Sequence, residues 1–231
     1  GCKRHAMICV ECGLPVTDIY RRFSEGNIRL TRCDNCGEFA DKYVEHEGII
    51  ILLDLMLLRP QVYRHLLFNR MQYMEHGIDA TYIKLLLIYV FFEMYIKWNS
   101  MMEATPVDDY GSYALILGVT VMEIFVYVMG LMGAVYLSLG PSCALVKYNY
   151  LIMAVILSSF AKPFLLLTMV WRYELDFNAL INAFILVSNT VALQVFLDTG
   201  LRQAIGVVGI SCAIKLVCQV VVSCHLFQVC T

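Results

Sequence analysis

The sequence predicts an all-α polytopic membrane bundle of four to five transmembrane helices, preceded by a small N-terminal β module. Of the 231 residues, 60% are hydrophobic and 16% are charged, whereas soluble domains average about 45–50% apolar and about 25% charged residues. The chain repeats nearly uncharged runs of about 20 residues, which is long enough to cross a hydrocarbon core of roughly 30 Å. The net charge of −2 gives no reason to expect nucleic-acid binding, because nucleic-acid-binding domains show a concentrated basic face.

Residues 1–48 form the predicted N-terminal module. This segment is polar and rich in cysteine, glycine and charge, and its β-formers cluster in Ala6–Ile8, Val16–Phe23 and Ile28–Thr31 between glycine-containing corners. We therefore expect short strands and turns. A segment this small cannot bury much apolar surface, so its fold needs a further crosslink or a structural metal ion.

Two CxxC pairs, separated by twenty residues, provide candidate groups for such a link. The spacing is typical of zinc ribbons. Gly13 and Gly37 directly follow the two pairs and suit the backbone of such metal-binding loops. Four thiolates close a tetrahedral shell and leave no position for a reactive water, so the pattern predicts a structural Zn²⁺ ion. The predicted ligands are Cys9, Cys12, Cys33 and Cys36.

Three other interpretations of the cysteines stay open at this point. The pairs could be redox-active, although a redox CxxC normally opens a helix in a βαβ unit, which this segment does not predict. They could also form two disulfides. A double zinc site of the RING type would need about four further ligands, for which only His5 and His46 lie nearby.

Residues 49–75 predict a helical segment of interfacial character. Ile49–Leu58 is apolar but too short to span, so we expect a helix packed on the membrane surface or on its neighbours. Pro60–Met71 predicts an amphipathic helix lying in the interface, with a packed helix of a soluble subdomain as the alternative. Its interfacial motif comprises Tyr63 on the apolar side and Arg64, His65 and Asn69 on the polar side.

Residues 81–231 hold the predicted transmembrane bundle. Polar turns around Pro106 and Pro141 separate the first three segments. The first segment is the least apolar, since it carries Lys84 and Glu93. The predicted spans are Thr81–Trp98, Tyr113–Leu139, Asn149–Trp171, Asn178–Leu197 and Ala204–Leu226.

Four ionisable residues fall inside these spans: Glu93, Glu123, Lys162 and Lys215. A charge in hydrocarbon costs at least about 2.5–3.5 kcal/mol, so each should face a partner, a polar cavity or the interface. One hypothesis is a polar path or lipid-headgroup site, to which Lys162 beside a helix-breaking proline could contribute. The alternative is structural, with Glu123 paired to Lys162 and the other two near helix ends.

The positive residues predict the orientation of the bundle. Arg59, Arg64 and Arg70 precede the first span, and Lys147 and Arg202 lie in later connections on the same side. The positive-inside tendency then places the cysteine module in the cytosol. Free thiolates persist in that compartment, which agrees with a metal site.

Several sequence strings together resemble the Arv family of endoplasmic-reticulum membrane proteins. They follow the four-cysteine module in the same order, and the cysteines fall on that family's cysteine positions. The strings are DKYVE at 41–45, the apolar run at 49–58, YRHLLFN at 63–69, SSFAK at 158–162 and SNT at 188–190.

The resemblance implies a role in intracellular sterol and sphingolipid distribution and in supporting glycosylphosphatidylinositol (GPI) anchor synthesis, without catalysis. Expected partners are membrane lipids, including sterol, sphingolipid and GPI precursors. The main alternative is a scaffold that holds GPI-anchor glycosyltransferases together. A third hypothesis is an enzyme using Glu93, Glu123 or His65, but the chain contains no phosphate-binding loop, nucleophile elbow or HExxH motif.

Overall fold

The computed structural model describes residues 7–24, 27–70, 80–104, 110–139, 145–159 and 177–227. Its contacts divide the chain into two compact units. The first unit contains Gly1–Asp79 and Val195–Asp198, and the second contains Ala80–Gln194 and Thr199–Thr231.

The first unit opens with a small β structure around the cysteine pairs. Strand β1 (Tyr20–Ser24) pairs antiparallel with β2 (Asn27–Leu30), which confirms a small sheet near the N-terminus. Isolated β-bridges join Ile8 to Pro15 and Arg32 to Phe39. The first bridge closes the first cysteine loop, Cys9–Gly13, and the second closes the second cysteine loop, Cys33–Gly37. Most side chains of the two strands are exposed, so the sheet contributes little to a core.

Three short helical elements complete this unit. A 3₁₀ turn (Lys42–Val44) is followed by α1 (Gly48–Met56) and α2 (Pro60–Arg64), and α2 continues as a π-helical turn (His65–Arg70). Proline at the first position of α2 suits a helix start, where its missing N–H is not needed. The apolar core is built by residues from the β structure and both helices: Val10, Ile19, Ala40, Tyr43, Leu55, Val62, Tyr63 and Leu67.

Apart from Thr199 and Gly200, the described residues of the second unit are helical. Its helices are α3 (Ala80–Ala104), α4 (Tyr110–Leu139), α5 (Leu145–Ser158), α6 (Phe177–Leu197) and α7 (Leu201–Phe227). The last three residues of α6 belong to the first unit. Among the described residues, three stretches are long and apolar enough to cross a membrane: Tyr113–Ser138, Ala179–Leu197 and Leu201–Val222. These match three of the five predicted spans.

The other two predicted spans have different outcomes. The Thr81–Trp98 segment forms most of α3, but this helix is not among the three stretches that are long and apolar enough to cross a membrane. The Asn149–Trp171 segment is helical to Ser158, and its second half lies outside the described residues. The number of spans therefore stays a prediction.

Helices α4 and α7 approach closely at Gly130. A Cβ added there would lie 3.3 Å from the Cδ1 atom of Ile214, so the isoleucine side chain would have to move by a few tenths of an ångström. Ala134 on α4 and Ala204 on α7 are both buried. Close approach through small residues is a common way for helices to associate in lipid.

Candidate metal centre and buried polar clusters

The two cysteine loops have nearly the same backbone. In the first, the Gly13 N–H donates to the Cys9 carbonyl at 2.9 Å, and in the second the Gly37 N–H donates to the Cys33 carbonyl at 2.9 Å. Gly13 and Gly37 have φ angles of +77° and +76°, a region that side chains with a Cβ rarely adopt. The glycine requirement predicted from the sequence is therefore confirmed at both positions.

These loops bring the four predicted cysteine ligands together. The Sγ atoms of Cys9 and Cys36 are 3.7 Å apart, as are those of Cys12 and Cys33, and all four sulfurs lie within 4.8 Å of one another. A tetrahedral ion with metal–sulfur bonds of about 2.3 Å needs sulfurs about 3.8 Å apart. The donor set and its spacing thus fit a single four-coordinate metal ion.

Burial and backbone N–H groups give the thiols different acidities. Burial raises the pKa of the Cys9 thiol to about 12, despite the N–H groups of Cys12 and Glu11 that point towards it. Backbone N–H groups of Cys36 and Asn35 lower the pKa of Cys33 to about 7. A bound cation would favour the thiolate form at every position, most of all at Cys9.

Arg64 on α2 holds the first cysteine loop. Its guanidinium donates to the carbonyls of Val10 and Glu11, both at 2.8 Å. A Cβ added at Gly13 would lie 3.5 Å from the guanidinium carbon. The arginine therefore covers the outside of this loop and satisfies two of its carbonyl groups.

Glu11 adds a second link between the loop and its surroundings. Its carboxylate accepts from Lys42 at 2.8 Å and from Gln61 on α2 at 3.1 Å. The hydrogen bond from Lys42 lowers the pKa of Glu11. The first cysteine loop is thus held by side chains from two separate elements.

Asp41 is the centre of a buried polar cluster next to the metal centre. Its side chain is fully buried. One carboxylate oxygen accepts from the Tyr43 backbone N–H at 3.0 Å, and the other accepts from His65 Nδ1 and Asn69 Nδ2, both at 2.7 Å. Since a carboxylate only accepts, the His65 Nδ1 carries the proton. A buried carboxylate with three donors is well satisfied.

Asn69 connects this cluster to the residue before the first ligand. The backbone N–H of Ile8 donates to Asn69 Oδ1 and the Ile8 carbonyl accepts from Asn69 Nδ2, each at 2.9 Å. Ile8 directly precedes Cys9. The α2 segment thus fixes both the start of the first loop and, through Arg64, its middle.

Two residues of the interfacial motif are buried, although they share the polar side of the predicted amphipathic helix. His65 is 5% exposed and Asn69 is 9% exposed. They turn inward because Asp41 and the Ile8 backbone supply their hydrogen-bond partners. Tyr63 is fully buried, as expected for the apolar side. This segment is packed within the first unit, and its position at a membrane interface stays a prediction.

Charged side chains from three helices meet in a layer of the second unit. Glu123 on α4 lies 2.8 Å from Lys97 on α3 and accepts from Gln219 on α7 at 2.8 Å. Glu93 on α3 lies 3.6 Å from Lys215 on α7. We call these five residues the charged layer. Two carboxylates and two ammonium groups balance each other, which would lower the cost of burying them in a hydrocarbon core.

The charged layer places two of the three predicted bundle-interior residues, Glu93 and Glu123. The third, Lys162, lies outside the described residues. Sequence reasoning missed Lys97 and Gln219 as partners of Glu123. Both lie four residues from another member on the same helix, and this spacing puts two side chains on one face. That spacing was the available signal.

Removing the Glu123 carboxylate should destabilise the second unit. In Glu123→Ala the Lys97 ammonium loses its carboxylate, so we expect the free energy of unfolding to fall by about 2 kcal/mol. The measurement is thermal unfolding of the full chain in mild detergent. Glu123→Gln should lower the free energy of unfolding by less. Lys84→Ala, at an exposed position of α3, should leave it measurably unchanged. Equal melting of Glu123→Ala and the wild type would contradict a structural role for the layer.

An apolar cavity of about 250 Å³ opens between α3, α4 and α5. Its lining side chains are apolar apart from the hydroxyl groups of Tyr89, Tyr127 and Ser159. The Tyr127 hydroxyl accepts from Asn189 Nδ2 at 3.2 Å, and Asn189 Oδ1 accepts from the Ser158 hydroxyl. A buried polar cluster thus borders one side of an otherwise apolar space.

Comparison with known proteins identifies the family. The profile of the Arv1-like family matches residues 8–193. The chain belongs to the Arv1-like family. No solved structure matches this chain.

Curated members of the Arv1-like family cover most of the chain. The Protein arv1 homolog of Dictyostelium discoideum is 47% identical over 86% of this chain and 88% of the relative. Protein ARV 2 of Arabidopsis thaliana is 29% identical over 92% of this chain and 93% of the relative. Protein ARV1 of Homo sapiens is 30% identical over 82% of this chain and 72% of the relative.

Two of the strings that carry the resemblance to this family contact each other in the first unit. Asp41 opens the DKYVE string, and His65 and Asn69 belong to the YRHLLFN string. Their side chains form the buried cluster beside the cysteine loops. In this Arv1-like chain the two strings are therefore hydrogen-bonded to each other, and the second one also contacts the first cysteine loop of the candidate metal centre.

Proposed function

We propose that this Arv1-like chain is a non-enzymatic lipid-handling protein of the endoplasmic-reticulum membrane. It takes part in intracellular sterol and sphingolipid transport and supports GPI-anchor synthesis. The observation that carries the proposal is the apolar cavity between α3, α4 and α5, because its α4 lining lies within the candidate span Tyr113–Ser138. The surroundings at that depth are lipid.

The cavity suits part of a lipid. Its volume of about 250 Å³ is below the roughly 300–1,000 Å³ of sites that enclose a drug-sized ligand. An apolar segment fits inside while the rest of the molecule extends beyond the opening. The hydroxyl groups of Tyr89, Tyr127 and Ser159 offer a polar edge for a sterol or sphingolipid hydroxyl.

The metal centre has a structural role in this proposal. We take the ion to be Zn²⁺ held in a zinc-ribbon-like module, since four thiolates are its preferred closed shell. The module faces the cytosol, where thiols stay reduced. With Arg64 and Asn69 connecting it to α2, the ion keeps the first unit folded and does no chemistry.

Filling the cavity tests the lipid-handling proposal. Val128 lines the cavity, so Val128→Trp should reduce several-fold the sterol, sphingolipid or GPI precursor that co-purifies with the protein. Native mass spectrometry after purification in mild detergent measures the retained lipid. Val126→Trp is the matched control, because Val126 is on the same helix but does not line the cavity, and it should retain lipid like the wild type.

The scaffold alternative gives a different result in the same preparation. A wild type with no enriched lipid, or equal retention by both tryptophan variants, would contradict lipid handling through this cavity. A scaffold would instead be recovered by crosslinking together with membrane-bound GPI-anchor glycosyltransferase subunits.

A further inference from the structure

Helix α1 presents an outer face made entirely of large apolar side chains. At 100° per residue they span an arc of about 160°. Their exposed fractions range from 39% at Met56 to 68% at Ile49. We call this set the outer face of α1: Ile49, Ile50, Leu52, Leu53, Met56 and Leu57.

The inner side of α1 carries the helix's charged residue. Asp54 is 8% exposed. Its carboxylate accepts from the Tyr43 hydroxyl at 2.7 Å and pairs with Arg59 at 3.2 Å. A helix on a water-soluble protein has its apolar stripe inside and its charges outside. Helix α1 is instead apolar on both sides, with Ile51 and Leu55 buried, and its one charged side chain is turned inward. This arrangement is expected of a helix whose outside is lipid.

We propose that α1 lies in the membrane interface, with its outer face inserted among the acyl chains. The helix has nine residues, about 14 Å of length, against a hydrocarbon core of roughly 30 Å, so it cannot span. An interfacial helix instead buries its apolar face about 5–10 Å into the boundary between headgroups and acyl chains. This inference does not depend on the proposed lipid-handling function.

Two features favour a bilayer over a protein as the occupant. The first unit includes Val195–Asp198, where the candidate span Ala179–Leu197 ends. The unit that carries α1 therefore includes the end of a candidate membrane span. In addition, the outer face is unbroken by any polar group that could fix the register of a protein partner.

The flanking charges define the kind of membrane contact. Glu45 and Glu47 precede α1, and Arg59 follows it. This balance offers no polybasic attraction to anionic lipid. Insertion should therefore be driven by apolar burial, and it should be equally deep in zwitterionic and anionic bilayers.

Quenching of a single tryptophan by brominated lipids measures the depth of this face. The chain has two tryptophans, so Trp98→Phe and Trp171→Phe give a background without them. Leu53→Trp is added to the full chain, reconstituted in phosphatidylcholine vesicles with brominated acyl chains. We expect its emission to be quenched several-fold more than that of Arg22→Trp, an exposed position on β1, with bromines near the headgroup end quenching most.

The outcomes separate lipid from protein and from water. Ile50→Trp, a second position on the outer face, should behave like Leu53→Trp, which distinguishes depth from a local disturbance. Emission at short wavelength without quenching at both positions would mean that protein covers the face and would overturn the proposal. Emission at long wavelength, equal to that of Arg22→Trp, would mean exposure to water and would also overturn it.

Discussion

The Cys33→Ser variant is expected to purify without stoichiometric metal and with an unfolded first unit. Closed thiolate zinc sites contribute on the order of 10 kcal/mol to folding, and a unit this small has little core to replace that contribution. Loss of one sulfur leaves three ligands where the geometry provides four. Elemental analysis of the reduced protein measures the metal, and trypsin cleavage measures the unfolding.

A second cysteine variant separates metal loss from a general effect of losing a thiol. Cys218 is a free cysteine on α7, outside the cluster. Cys218→Ser should keep one metal ion per chain and the cleavage pattern of the wild type. A Cys33→Ser protein that kept its metal and its resistance to trypsin would disprove the assignment of the ligands.

The Asp41→Ala variant should lower the free energy of unfolding of the first unit by about 3–5 kcal/mol, because it leaves two buried donors without an acceptor. His65 and Asn69 would each lose a 2.7 Å hydrogen bond, and their donors would remain buried. The measurement is the urea dependence of trypsin cleavage after Arg64, whose guanidinium is bonded to the first cysteine loop in the folded state.

Two further substitutions calibrate this effect. Asp41→Asn should lower the free energy of unfolding by less than Asp41→Ala does, because its amide oxygen can still accept from the Tyr43 N–H. Asp18→Ala removes an exposed carboxylate and should stay within about 0.5 kcal/mol of the wild type. If Asp41→Ala were as stable as Asp18→Ala, the buried cluster would not support the fold.

The cysteine cluster could be predicted from the sequence because its geometry is local. A CxxC pair places two sulfurs on one turn, and a following glycine permits the positive φ angle that closes the loop. Both features are visible within five residues, at Cys9–Gly13 and again at Cys33–Gly37. The long apolar runs of α4, α6 and α7 were predictable for a similar reason, since spanning length is a property of one segment.

The buried cluster around Asp41 could not be predicted in this way. Its partners are 24 and 28 residues away, and helical periodicity alone put His65 and Asn69 on an outer polar side. Periodicity shows which residues share a face, but it does not show whether another element covers that face. The covering element here is the segment from Ile8 to Tyr43.

The charged layer shows the same limit within the bundle. The sequence indicated that Glu123 needs a partner, because an isolated carboxylate is costly in hydrocarbon. It did not identify Lys97, since pairing across helices depends on which faces meet. Likewise, the apolar character of α1 was evident from the sequence, whereas its outward orientation required knowing that Asp54 pairs inside the unit.

The two cysteine loops have similar backbone conformations, but side chains cover them unequally. This difference affects how easily a reagent reaches the cysteine sulfurs. Arg64 lies over the Gly13 side. On the other side Cys36 is exposed, and a Cβ added at Gly37 would meet no described atom within 4 Å. We therefore expect a chelator or an oxidant to reach the Cys36 sulfur first. A bound ion should then be released from the second loop first, while α2 still restrains the first loop.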